Sequence, residues 1–203
     1  MTRLLKGELM KIVSTRMLLG YAVAGVALTI ANVVVVGLAS GDLDEVVEQA
    51  RASAEVTHAH SEGQAGSIAT AVAAAWAWHA RLRPRPRPGQ EMIAVVLEHT
   101  PEGQTREGLK AALSLGRDCS VEVAVGVLGN GGRITAPDTV PFALWCAARH
   151  IDDYAEALWA TVSAGGDNDT NCAIVGGIVV LANGHEAIPE EWLAAREPLG
   201  WGP

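Results

Sequence analysis

Gly165-Gly166-Asp167-Asn168-Asp169-Thr170 leads without a break into Asn171-Cys172-Ala173-Ile174-Val175-Gly176-Gly177-Ile178-Val179-Val180-Leu181, and the way this junction is built decides the fold. A glycine pair permits a sharp turn, and a proline-free apolar run of this length makes about three helical turns. The pattern predicts a loop entering a helix over 171–181, with Asp169 as N-cap and the acidic residues favoured by the helix dipole. The same residues form half of a cation site. Mg²⁺ takes oxygen ligands, and the carboxylates of Asp167 and Asp169 with the hydroxyl of Thr170 can converge on one ion. A D-x-D-T taken alone does not separate these two meanings.

Working outward, the chain reads as helices joined by short connections. Asp42 and Glu45 make a capping pair for a helix to about Val56, with Leu43, Val46, Val47, Ala50 and Ala54 at helical spacing. Residues 66–78 are dominated by alanine, which suits close packing between helices. Further helices are predicted over 91–99, 106–115, 139–149, 153–163 and 190–195. Residues 121–128 alternate as Val-Glu-Val-Ala-Val and admit a strand as well as the favoured helix. The run Arg81-Leu82-Arg83-Pro84-Arg85-Pro86-Arg87-Pro88 cannot be helical, because alternate prolines remove donors, and reads as a stiff, extended surface connection. Gly129-Asn130-Gly131-Gly132 is a tight turn or a loop offering backbone amides to an anion. The sum is an all-α domain with bundle-like packing.

Charge is unevenly spread. The net charge is −8, yet residues 1–40 carry Arg3, Lys6, Lys11 and Arg16 against Glu8 alone. The acidic remainder argues against nucleic-acid binding, which needs phosphate-neutralising cations. Cys119, Cys146 and Cys172 are odd in number and widely spaced, as expected of free thiols in a reducing compartment. G-x-S-x-G, P-loop and dinucleotide fingerprints do not occur.

From Met17 to Ala39 there is no charged side chain. A run of 23 residues is long enough to span a bilayer, and basic residues before it with acidic ones after it would place the N-terminus inside. The expectation is a transmembrane helix, with a buried core helix as the alternative. Residues 1–40, beginning Met-Thr-Arg-Leu-Leu-Lys-Gly-Glu-Leu-Met-Lys, also resemble the start of bacterial ABC-2 type transporter permeases. The expected organisation is therefore an N-terminal segment, 1–40, and a domain over 42–203.

From about residue 42 the chain resembles the C-terminal part of the ADP-ribosylglycohydrolases. The resemblance is carried by Thr57-His58-Ala59-His60-Ser61-Glu62-Gly63, Leu128-Gly129-Asn130-Gly131-Gly132-Arg133, Ala136-Pro137-Asp138-Thr139-Val140-Pro141-Phe142, and the opening motif with Ala173-Ile174-Val175-Gly176-Gly177. It implies an all-α fold holding a pair of Mg²⁺ ions, and cleavage of ADP-ribosyl bonds on a protein or small molecule. It also implies a cytoplasmic setting, replaced by membrane association if the apolar run inserts. By resemblance Asp167, Asp169 and Thr170 are metal ligands, while His58, Gly129 and Asn130 contact substrate. His60 forms an H-x-H pair with His58 but lacks the strand that a transition-metal site of that type uses.

The family's Thr-Asp-Asp motif and its first glycine-rich loop have no match here, which leaves half of the metal site without a counterpart. The expectation is an incomplete domain arising by fusion or truncation. Three readings follow: a Mg²⁺-dependent ADP-ribosyl hydrolase, an inactive remnant that still binds ADP-ribose or a partner, and a membrane-anchored transporter-related fragment.

Overall fold

The structure is a computed structural model, and it describes residues 41–116 and 118–195. All regular structure among them is helical: α1 (Leu43–Glu55), α2 (Ser61–Ala80), α3 (Gly89–His99), α4 (Gln104–Ser114), α5 (Val121–Leu128), α6 (Ala136–Arg149), α7 (Tyr154–Ser163), α8 (Asn168–Asn183), a 3₁₀ turn (His185–Ala187) and α9 (Glu190–Ala195). Among the described residues no helix is long and apolar enough to cross a membrane. The membrane expectation for the run from Met17 to Ala39 lies outside the described residues.

Most predicted helices are present, and the shifts in their starts have identifiable causes. Residues 121–128 are helical because Ser120 caps them, its Oγ accepting from the Val123 amide at 3.4 Å, while Ala124 and Leu128 share one buried face. Helix α4 begins at Gln104 rather than 106 because Glu62, on α2, accepts hydrogen bonds from the amides of Gln104 (2.7 Å) and Thr105 (2.9 Å) and from the Thr105 hydroxyl (2.8 Å). These are orphan donors of a helix start. Burial opposes ionisation of Glu62, but the bonds from Thr105 and Gln104 outweigh it and hold the carboxyl below its usual range. Helix α6 begins three residues earlier than predicted. Pro137 is harmless in the first turn, and the Pro141 ring is seated against Gly108, where a Cβ would collide with it.

Successive helices alternate in direction. Gly41, before α1, lies by His79 near the end of α2, whereas Gly66 in the second turn of α2 meets Ala136 at the start of α6. Gly89 at the start of α3 packs on Ala148 near the end of α6, and Asn183 at the end of α8 donates to Ile151 O at 2.7 Å. Consequently α2, α4, α6 and α8 all start at one end of the bundle, and α1, α3, α5 and α7 all finish there. Helices α2, α6 and α8 pack against one another at its centre. The alanine run makes this possible: over residues 68–77 α2 is buried on every side, Ala69, Ala71, Ala73, Ala74 and Ala77 included, as expected of a central helix. Phe142, Leu144 and Trp145 of α6 fill the core beside it.

At the opposite end Arg81–Pro88 is non-helical and mostly exposed, as expected of a surface connection, and is also anchored through Arg87. Arg87 is buried; its guanidinium reaches Asp152 (2.6 Å), Ala80 O (2.9 Å) and Asn183 Oδ1 (3.0 Å), and its amide donates to Asp152 Oδ2 at 2.8 Å. Arg83 pairs with Glu91 at 2.5 Å, and Arg85 lies 3.7 Å from Asp152. The segment ties the ends of α2, α6 and α8 together. The three cysteines are free, and burial pushes the Cys146 thiol up to about 12.

Candidate functional site

The alternation of direction brings the sequence-predicted residues to one end of the bundle. His58 precedes α2, Gly129 and Asn130 precede α6, and Asp167, Asp169 and Thr170 open α8. Four helix N-termini gather there, each carrying the partial positive charge of a helix start.

Helix α8 starts differently from the expectation. Asp167, not Asp169, is the N-cap; its Oδ1 accepts from the Thr170 amide at 3.2 Å. Gly165 and Gly166 adopt left-handed φ of 64° and 72°, conformations that glycine reaches without a Cβ penalty. The turn delivers Asp167 early and leaves Asp169 exposed in the first turn, with Thr170 half-buried.

The glycine loop is braced onto this acidic loop by Asn130. Asn130 O accepts from the Asp167 amide (3.1 Å) and from Asn171 Nδ2 (2.7 Å), and Asn130 Nδ2 donates to Ala164 O at 3.0 Å. A Cβ on Gly166 would collide with the Asn130 carbonyl, and one on Gly131 would come within 2.9 Å of Asp167 Cβ. Of the two readings of this loop, the tight turn is the one the hydrogen bonds support. Gly129 N goes to Val125 O (2.9 Å), Gly131 N to Asp138 O (2.9 Å), Gly132 N to Asn130 Oδ1 (3.2 Å) and Arg133 N to Asp138 Oδ2 (2.8 Å). The loop spends these donors on its own shape. Ile134, at its end, is held at φ 55°, a left-handed conformation costly for a β-branched side chain.

Three residues without a sequence-assigned role therefore organise this end. Asp138 fastens the glycine loop, and its position three residues after Thr135 is a capping-box signal. Glu62 organises the start of α4 from 42 residues away, a contact with no local trace. Asn171 is fully buried inside a run that reads as apolar. His60 is the N-cap of α2, its Nδ1 accepting from the Glu62 amide at 3.2 Å, which accounts for that histidine without a metal. His58 is exposed; Thr57 Oγ1 lies 2.8 Å from its Nδ1, leaving Nε2 for a ligand.

The donor chemistry at Asp167, Asp169 and Thr170 suits a hard cation, since all three offer oxygen. Two further amide oxygens on the same helix, Asn168 Oδ1 and Asn171 Oδ1, are buried without a hydrogen-bond partner. Among the described residues no group of three or more His, Cys, Asp and Glu side chains converges, so these residues would supply at most one side of a coordination sphere.

An all-helical bundle with an acidic loop braced at its helix starts agrees with sequence comparison: the chain belongs to the ADP-ribosylglycohydrolase family, whose sequence model matches residues 13–201. The matched stretch takes in the apolar run from Met17 to Ala39. Among individual relatives, the chain is similar to the ADP-ribosylhydrolase ARH3 of Mus musculus, with 34% identity over 88 residues, 38% of this chain and 23% of that protein. The match thus spans less than a quarter of the relative's length.

Proposed function

We propose that the chain is a Mg²⁺-dependent hydrolase of ADP-ribosyl bonds, removing ADP-ribose from a modified protein or small molecule. The observation that supports it most is the braced loop pair, in which the glycine loop fixes the backbone of Asp167 at the end where four helices begin. Asp167, Asp169 and Thr170 would hold the metal, and the rest of its shell would come from water and substrate. When bound, Mg²⁺ would activate a water and polarise the glycosidic bond.

The charges at this end support a cation. Asp138, Asp167 and Asp169 would repel a diphosphate, and neutralising them lets the helix starts attract it. His58, through Nε2, is the side chain we assign to the ADP-ribose moiety. Gly129 and Asn130 serve substrate binding by shaping the loop. The matched stretch includes the apolar run, so we read that run as part of the domain in a cytoplasmic protein. Membrane anchoring is the competing reading, and retention of the chain in membranes washed with carbonate would favour it.

The shortage of carboxylates among the described residues favours one other reading, a remnant that binds ADP-ribose without cleaving it. Calorimetric titration with ADP-ribose in Mg²⁺ is expected to show saturable binding. Binding without any turnover of modified substrates supports the remnant, and absence of binding removes both readings.

A further inference from the structure

The chain enters the described domain at a defined place. Gly41, with φ 65°, turns the backbone just before α1, and a Cβ on it would lie 3.8 Å from the His79 ring near the end of α2. His79 also lines a cavity of about 220 Å³, together with Trp78, Arg81 and Leu82. Trp78 is half-buried, and the Arg81 guanidinium lies 5.8 Å from its ring centre. Leu82 is 92% exposed, more than any other large apolar side chain among the described residues. The end of the uncharged run, Val33-Val34-Val35-Val36-Gly37-Leu38, immediately precedes this point. A chain spans at most about 3.5 Å per residue, so Leu38, three residues before Gly41, lies within about 10 Å of it. Val123 and Val127 on α5 and Trp159 on α7 are also exposed, but those helices pack on α4, α6 and α8.

We infer that the segment from Val33 to Leu38 docks on this end of α2, with Leu38 seated in the cavity so that it covers Leu82 and Trp78. A cavity of about 150 Å³ already admits a benzene-sized group, so there is room for a leucine side chain. Docking takes apolar surface of both partners out of water. No charge is buried by it, since the run carries none, and Arg81 keeps Glu186 at 4.0 Å on the rim. The inference rests on the reading of the apolar run as part of the domain.

The test is the rate at which a water-soluble maleimide labels single-site variants of the full chain, with each labelled peptide quantified by mass spectrometry and helicity checked by circular dichroism. Leu82→Cys is expected to react at least about tenfold more slowly than Val127→Cys, because reaction requires the contact to open. Adding Leu38→Asp should bring the two rates together. If that variant does not fold, Leu38→Ala takes its place with a smaller acceleration. Equal rates for Leu82→Cys and Val127→Cys, in a chain that stays out of carbonate-washed membranes, would overturn this docking and spare the reading of the run as part of the domain. Slow labelling that changes at Leu38 leave untouched overturns it too. So does protection lost on dilution, which would assign the cover to a second copy of the chain. Retention in carbonate-washed membranes would sink the docking and the domain reading together.

Discussion

Replacing Asp167 by alanine is expected to remove Mg²⁺ binding and to cut release of ADP-ribose by more than about a hundredfold, since outer partners of a metal alone reach that range. The same substitution removes the cap of α8, where Oδ1 accepts from Thr170 N at 3.2 Å, at a cost of about 1 kcal/mol. Asp167→Asn separates the two effects. Asparagine caps a helix as well as aspartate does, so this variant should melt close to the parent and still lose metal and turnover. If Asp167→Asn retains parent Mg²⁺ affinity, Asp167 is a cap and not a ligand.

The second large effect is expected at the opposite end. Arg87→Met should destabilise the fold by about 3 kcal/mol, the low end of what breaking a buried ion pair costs. The low end applies because Asp152 keeps 25% of its side chain exposed and still has Arg85 at 3.7 Å. Much of the loss comes from the buried acceptor at Ala80 O, since Asn183 Oδ1 keeps a bond from Arg85 at 2.6 Å. Arg87→Lys should recover only part of it, because an ammonium cannot reproduce the planar fork. Urea unfolding followed by circular dichroism measures both, and a midpoint within error of the parent for Arg87→Met would contradict the role given to this network.

The helices were legible wherever their signals are local. Asp42, Ser120 and Asp153 cap their helices and are recognisable from their neighbours. The starts of α4 and α8 were not. The first depends on Glu62 from another helix, and the second on two left-handed glycines that let Asp167 cap in place of Asp169. The proline-spaced arginines gave their lack of helix but not their partners, because Asp152 and Asn183 are far along the chain. For the site, residue types were visible and their gathering was not. His58, Asn130 and Asp167 reach one end only because successive helices alternate in direction, a property of packing. The commitment of the glycine-loop amides was equally hidden, since it depends on where Asp138 and Asn130 point.

The most direct test of the account is release of ADP-ribose from a mono-ADP-ribosylated protein, followed with Mg²⁺ present and after chelation. Release that requires Mg²⁺ and disappears in Asp167→Asn is the predicted result. No release from any ADP-ribosylated substrate at saturating Mg²⁺, or release that chelation and Asp167→Asn leave unchanged, would contradict it.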